Sequence, residues 1–314
     1  MDMGGFKLHY VAKEHRKTMQ KSHAAAIDPP FIISQPVTRT AAAVFSAPHA
    51  GRNYAPAFLG QSRLDPLTLR RSEDAFVDLL FKEVVALGAP LMSACFPRAY
   101  IDVNREPYEL DPHLFGERLP SFANTRSPRV AGGLGTIPRI VGDGHQIYTG
   151  KIALEEGLER IDALYKPYHR ALRQLMGDTV RQFGYALLVD CHSMPSVTGR
   201  TGDAGMPDIV LGDRYGMSAA GPLMDRLEAA LRRREYRVVR NRPYAGGYIT
   251  EHYGEPATGR HAIQIEINRA LYMDEATLTP HDGFARLSRD LVAAVGELIE
   301  AVPLLLTPRR QAAE

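Results

Sequence analysis

The 314-residue chain has no tryptophan and only two cysteines, Cys95 and Cys191. Both cysteines lie in apolar, strand-like stretches. Buried free thiols are therefore expected rather than a disulfide, which suits a reducing, cytoplasmic location. No apolar run approaches the roughly 20 residues of a membrane span, so no membrane partner is expected. Residues 1–30 carry basic side chains but no apolar signal-peptide core, and Asp2 and Glu14 argue against a transit peptide. They read as a mobile N-terminal extension. Charge of one sign is also missing. Against 36 acidic residues stand 38 basic ones, a net +2, which points to no nucleic acid and no anionic surface.

Short motifs are equally sparse. There is no His-Glu-x-x-His and no Cys-x-x-Cys, so local spacing alone proves no metal. There is no Gly-x-Ser-x-Gly. Ser193 neighbours Asp190 and His192, but adjacent strand residues point to opposite faces, so the three form no nucleophilic relay. The glycines of Ala131–Pro138 lack the strand before and the helix after that a dinucleotide site requires, and no P-loop is present. The chain contains no internal repeat and no low-complexity tract.

What is present is a hydrophobic content of 45%, enough for a sizeable core. The chain is organised around Tyr185–Pro195, an apolar strand that ends in Asp190-Cys-His192-Ser193. Open α/β sheets present chemistry beyond the carboxyl ends of their strands. A second strand, Thr40–Ser46, runs into Pro48-His49-Ala-Gly51, where the turn-formers force a tight exit. A lone histidine after a strand is more often structural. Two of them, both at strand ends, favour a site.

Leu64–Leu87 reads as a helix with one apolar face, restarting at a Ser72 cap. Asp74 in its first turn would usually just complement the helix dipole. The sharper reading is that Asp74, or Asp78 one turn on, completes a metal shell with His49 and His192. Ala89–Cys95 is the next strand. Tyr100, Ile101 and Val103 also have strand character, amid Arg98, Asp102, Asn104 and Arg105. The Arg105 fork and the Asn104 amide suit a substrate carboxylate, whereas a surface salt-bridge cluster is the plainer alternative.

Residues 106–150 are too long for an ordinary connection and read as a structured functional loop or lid. Within it Arg139, His145 and Tyr148 are polar candidates, each more often structural. Lys151–Phe183 is helical, kinked or split at Pro167. Pro207–Arg214 is a short strand, Ala219–Arg234 an amphipathic helix and Tyr236–Arg240 a strand. The turn Asn241–Thr250 has glycines, Gly247 among them, that allow close backbone approach, and Thr250 closes it. His261–Arg269 alternates, placing Ile263, Ile265 and Ile267 on one face and Gln264 and Glu266 on the other. Glu266 is either part of a solvated strand face or a general base. A helix from Gly283 to about Ala301 ends the pattern. The βα alternation predicts a mostly parallel sheet covered on both faces. Residues 31–305 are expected to form one catalytic domain, followed by a polar tail at 306–314.

Two histidines and one carboxylate with an open fourth position form the usual shell of a catalytic zinc, and a nearby carboxylate can shuttle the proton. The segments Ser46-Ala-Pro-His-Ala-Gly51, Glu73-Asp-Ala-Phe-Val-Asp78, Tyr100-Ile-Asp-Val-Asn-Arg105, Lys166-Pro-Tyr-His169, Asp190-Cys-His-Ser-Met194, Pro207–Gly212, Gly246-Gly-Tyr-Ile-Thr250 and Gln264–Glu275 occur in this order. Together they resemble the N-formylglutamate amidohydrolase (deformylase) family over about residues 30–300. That family is similar to zinc carboxypeptidases and aminoacylases. The resemblance implies a three-layer α/β/α fold with a mixed, mostly parallel central sheet. It implies hydrolysis of N-formyl-L-glutamate to glutamate and formate, in histidine degradation.

It carries His49 and His192 over as ligands of one Zn2+ per chain, with Asp74 chosen as the carboxylate ligand, and Glu266 fits the place of the carboxypeptidase general base. Asn104 and Arg105 would grip the substrate, and Arg98, Arg139, Tyr148, Gly247 and Thr250 are additional substrate-side candidates. In zinc carboxypeptidases a ligand Glu follows the first His by three residues; here that place is Arg52, so the carboxylate must come from elsewhere. The partner is then a small anionic N-acyl amino acid. Another zinc amidohydrolase, acting on a different N-acyl amino acid or on a peptide or cell-wall amide, is the second reading. A non-catalytic metal-binding or ligand-binding protein on the same fold is the third. An intact shell beside Glu266 would discriminate against the third.

Overall fold

The computed structural model describes residues 27–196 and 206–306. The N-terminal extension up to residue 26, most of the polar loop after Pro195 and the tail from 307 lie outside the described residues. Seven strands form the main sheet: β1 (Phe31–Ser34), β2 (Ala43–Ala47), β3 (Leu91–Ala94), β4 (Ala186–Met194), β5 (Ile209–Gly212), β6 (Val238–Arg240) and β7 (Arg260–Asn268). Their order is β1-β3-β2-β4-β7-β5-β6. The centre, β3-β2-β4-β7, is parallel. β1 runs antiparallel to β3, and β5, parallel to β6, runs antiparallel to β7. The sheet is thus mixed and mostly parallel, as the βα alternation predicts.

Every residue of β4 is buried, because helices cover both faces of the sheet. On one side Phe45, Leu187, Val189, Cys191, Ile263 and Ile265 pack against the helices Gly221–Arg232 and Gly283–Leu306. On the other, Val44, Met92, Leu188 and Ala262 meet Tyr168, Leu172, Leu175 and Met176 of the helix Lys166–Phe183. Period-2 alternation on the strands therefore feeds two separate cores, one on each side, giving three layers.

Expectations for two segments, 64–87 and 100–103, are corrected, and one strand was missed. The predicted helix over 64–87 is broken into Pro66–Arg70, Val77–Leu80 and a 3-10 turn at Lys82–Leu87. Asp65 caps the first piece by accepting from the Leu67 and Thr68 amides, and the expected restart at Ser72 does not occur: the next helical turn begins at Val77 with no side-chain cap. The break at 72–76 is stabilised by groups the local pattern does not show. Glu73 is buried and takes Arg70 and the Tyr54 hydroxyl, the Asp74 amide donates to the His49 carbonyl at 3.0 Å, and Phe76 adopts φ 65°. Tyr100–Val103 forms no strand; its apolar side chains are buried in a turn-rich segment whose Asp102 amide donates to the Thr136 carbonyl at 2.8 Å. Finally, β1 was not evident in the sequence, because four residues alternating half-buried and exposed give a weak signal.

The helical stretch before β4 is split at Pro167 as expected. Leu154–Arg160 passes through a π turn at Ile161–Tyr165, which lets Pro167 enter the first turn of the next helix, where a missing N–H costs nothing. That first turn faces the Val103–Arg105 segment. Tyr165 donates to the Arg105 carbonyl at 2.7 Å, and His169 Nε2 donates to the Val103 carbonyl at 2.8 Å. His169 Nδ1 sits 3.0 Å from the Tyr253 hydroxyl.

Burial lowers the His169 pKa to about 4. A depressed folded-state value means full stability above the ordinary histidine range, lost as pH falls from about 6.5 through 4. Acidification across that window is expected to cost up to about 3 kcal/mol from this residue. Urea melts at pH 7.5 and pH 5 check this: His169→Gln should flatten the pH slope, and an unchanged slope would assign the loss to other groups.

Candidate active site

Three parallel strands end side by side, and each delivers polar groups to one place. β2 runs through Ala47 and Pro48 into His49. β4 continues as Asp190 and His192, and β7 as Gln264 and Glu266. The register sets Ser46 beside Asp190, and His192 beside Glu266. Asp190, His192, Gln264 and Glu266 leave the sheet on the side opposite Cys191 and Ile265, where the covering helix gives way to a cavity of about 540 Å3. His49, Asp74, His192 and Glu266 line it.

One ligand atom each from His49, Asp74 and His192 lies within 4.8 Å of the others, and all three residues are buried. Asp74 Oδ2 is 2.9 Å from His192 Nδ1 and 3.3 Å from His49 Nδ1. The far nitrogens are also held. His49 Nε2 is 2.7 Å from Asp102 Oδ1, and His192 Nε2 is 2.9 Å from Asp190 Oδ2. A carboxylate on Nε2 fixes each ring with its Nδ1 lone pair aimed at the common centre, the usual support for a metal-binding imidazole.

His49 Nδ1 is buried without a hydrogen-bond partner. A buried polar atom of that kind calls for a missing partner, and here it points at a carboxylate oxygen shared with a second imidazole. The donor set, two nitrogens and one oxygen, suits a borderline divalent cation such as zinc.

Charge supports the same fit. Asp74, Asp102, Asp190 and Glu266 face Arg98, Arg105 and Arg269, which leaves the cluster one positive charge short when both imidazoles are neutral. Burial opposes the charge of Asp74, yet His192 and His49 hold it well below the usual carboxylate range. Asp102 is likewise held low against burial by Arg105, His49 and Arg98. Burial would neutralise His192, but Asp190 and Asp74 push it well above the usual range. Glu266 differs: burial, with Asp74 nearby, raises it to about 7 against the pull of His192.

Arg269 is central to this arrangement; it closes the alternating His261–Arg269 stretch, but nothing there distinguishes it as a site residue. It is buried, and it donates to Asp74 Oδ1 at 3.1 Å, Ser193 Oγ at 3.1 Å and the carbonyls of Glu73 and Arg71 at 2.7 and 3.1 Å. It thus clamps the 71–74 break onto β4. Gln264 is the second residue missed. Its Nε2 donates to Glu266 Oε1 at 2.8 Å, while its Oε1 accepts from the Gly247 amide at 2.8 Å. The signal for Gln264 was its place two residues from Glu266 on the same strand face.

The sequence candidates sort as follows. Asp78 is turned away, paired with Arg52 through two 3.1 Å contacts, so Asp74 alone of the two meets the histidines. Asn104 sits in the cavity wall: its amide lies 3.3 Å from His192 Nε2, and its Oδ1 accepts from the Ile249 amide at 2.7 Å. Gly247 packs directly on that amide, where a Cβ would come within 2.3 Å of Nδ2; only glycine fits there. Arg98 and Arg105 line the cavity and converge on Asp102. Arg105 is no free fork, because it also donates to the carbonyls of Leu134 and Asn104.

Arg139 is drawn aside by Asp111 at 2.7 Å, although its neighbours Pro138 and Ile140 reach the cavity. Tyr148 is buried against Arg160, which donates to its hydroxyl at 2.7 Å. Thr250 lies behind the wall, 3.4 Å from Gln264 Oε1. The 106–150 segment contributes Arg129, Leu134, Pro138, Ile140, Val141 and Gly142 to the cavity rim.

Residues 41–273 match the family model described as N-formylglutamate amidohydrolase. The chain is 32% identical over 262 residues to an N-formylglutamate deformylase of Pseudomonas aeruginosa, covering 82% of this chain and 91% of that protein. It is 30% identical over 239 residues to an N-formylglutamate deformylase of Pseudomonas putida, covering 74% and 82%. The crystal structure of an N-formylglutamate amidohydrolase from Ralstonia eutropha superposes with a TM-score of 0.83 at 35% identity, covering 87% of this chain and 98% of that one.

The ring-fixing role of Asp102 is directly testable. Asp102→Asn is expected to weaken the binding of a divalent metal at the His49–Asp74–His192 cluster by about 10- to 100-fold. Competition with a chromophoric chelator measures it, and unchanged affinity would detach Asp102 from the His49 ring.

Proposed function

The chain belongs to the N-formylglutamate amidohydrolase family, and on that premise we propose that it hydrolyses N-formyl-L-glutamate to glutamate and formate with the help of a zinc ion. The chain is an amidohydrolase; the substrate, the metal and a place in histidine degradation are the proposal. The observation that carries it is the pair of imidazoles, each backed by a carboxylate, meeting Asp74 beside Glu266. A shell complete in this way, next to a carboxyl group titrating near neutrality, favours catalysis over metal storage.

His49, Asp74 and His192 would hold the ion, which when bound supplies Lewis acidity to the formyl carbonyl and to the attacking water. The remaining work falls to protein groups. Glu266, with its pKa near 7, accepts a proton from the water and is able to return it to the leaving nitrogen. The water oxygen bonds to the formyl carbon, the C–N bond breaks, and formate and the free amine result. Gln264 orients Glu266 through the 2.8 Å bond to its Oε1. Arg98 donates to Asp102 through Nε at 3.0 Å, and its charge acts on Asp74 and Glu266. Its position suits the negative charge that develops on the carbonyl oxygen. Asn104 and Arg105 in the cavity wall are the groups proposed for the α-carboxylate.

Formate release from a panel of N-formyl, N-acetyl and N-succinyl amino acids, with zinc present, tests the substrate assignment: N-formyl-L-glutamate should lead the panel. His192→Ala is expected to lose bound zinc and activity together, and full activity in metal-stripped protein would sink the mechanism. Glu266→Gln should retain about one zinc per chain, following the single-shell geometry. It should lose about 10²- to 10⁴-fold in kcat. Loss of the metal instead would make Glu266 a ligand.

A further inference from the structure

We propose that Arg214, with Arg129 across the cavity mouth, receives the side-chain carboxylate of a dicarboxylic substrate and so sets the preference for acidic over neutral N-formyl amino acids. This inference rests on the hydrolytic reading above. The deeper guanidiniums are engaged. Arg269 is spent on Asp74, Ser193 and two carbonyls, Arg105 on two carbonyls and Asp102, and Arg98 shares Asp102 beside the catalytic groups. Arg214 and Arg129 line both the metal-side cavity and the adjoining cleft of about 450 Å3 that opens past Gly247. They stand where the far end of a substrate leaves the inner chamber.

Arg214 is held there against backbone preference. Arg214, Tyr215 and Gly216 are consecutively left-handed, at φ 55°, 57° and 85°. Two non-glycine residues in that region persist only where the surroundings over-determine them, and such strain concentrates at binding sites. Asn241, itself at φ 61°, supplies the restraint: its Oδ1 accepts from the Asp213 and Tyr215 amides, and its Nδ2 donates to Asp213 Oδ1 at 2.8 Å. The Arg214 amide donates to the Ala245 carbonyl at 2.7 Å. The turn is therefore pinned at both ends of its strained residue.

Arg214 Nη2 pairs with Glu251 Oε2 at 2.7 Å, and both side chains are substantially exposed. An exposed pair of this kind is weak, so a substrate carboxylate can take the place of Glu251 on the guanidinium. Arg129 is exposed at the rim, with no carboxylate in ion-pair range among the described residues. The same cleft also carries Glu106 and Glu109, so its net charge does not select a ligand; what the two guanidiniums offer a distal carboxylate is N–H donors in a planar fork.

The test compares kcat/KM of the zinc-loaded full chain on N-formyl-L-glutamate and on N-formyl-L-glutamine, which has the same shape without the charge. Arg214→Gln is expected to lose roughly 30- to 100-fold on the acidic substrate, the scale of a lost charge-assisted hydrogen bond. On the neutral substrate it should stay within about threefold, below the scale of one such bond. Equal losses on both substrates, or none on either, overturn the proposal. Glu251→Gln, at an exposed position that folding tolerates, should lower KM for the acidic substrate only; an unchanged KM overturns the competition for Arg214. A wild-type chain that releases formate from neither substrate would instead refute the hydrolytic reading itself.

Discussion

Asp74 is a buried carboxylate on which two imidazoles and one guanidinium converge, and the surrounding structure depends on that charge being neutralised. Its Oδ2 serves the two histidine Nδ1 atoms and its Oδ1 serves Arg269. Removing any one partner of a buried charge typically costs several kcal/mol, so each is fixed in turn by others. Arg269 ties strand β4 and the carbonyls of Arg71 and Glu73 into one unit. Asp102 and Asp190 fix the imidazole rings from behind. What reads as a helix interrupted at Ser72 is the consequence: the chain gives up helical hydrogen bonds there to bring Asp74 under His49.

The sheet makes this possible through register rather than through any local motif. The parallel β2-β4-β7 core places three carboxyl ends at one level. The pairing of His192 with Glu266 sets that carboxyl group next to the His49–Asp74–His192 cluster. A shift of one residue in β7 would turn Glu266 into the opposite core and bring an isoleucine into the cavity. The fully buried centre of the sheet resists such a shift, because Ile263, Ile265 and Ile267 are locked between the strands and the two outer helices. Stability of the core and precision of the site are thus one property of the same strands.

Around that centre the arginines are graded by depth. Arg269 is taken up by four protein acceptors and acts as a fixed countercharge on Asp74. Arg98 and Arg105 are partly engaged through Asp102, and the two at the mouth retain the most capacity for a ligand.

The sequence by itself determined the elements with strong periodicity and the residues at strand ends: β2, β4 and β7, the two long helices, His49, His192 and Glu266. These follow from alternation and from turn-formers, which act over a few residues. It also put Asp74 and Asn104 among the candidates, through a carboxylate expected in a first helical turn and an amide beside the Arg105 fork. Only the tertiary structure decided between Asp74 and Asp78, because the choice turns on Arg52 claiming Asp78 across 26 residues of chain and Arg269 claiming Asp74 across 195. It likewise removed Arg139 and Tyr148 from the cavity, since Asp111 and Arg160 capture them, and it revealed Asp102, Gln264 and Arg269 as supports. Burial and long-range pairing of charge set those outcomes, and neither is encoded within a window short enough for a sequence pattern to show.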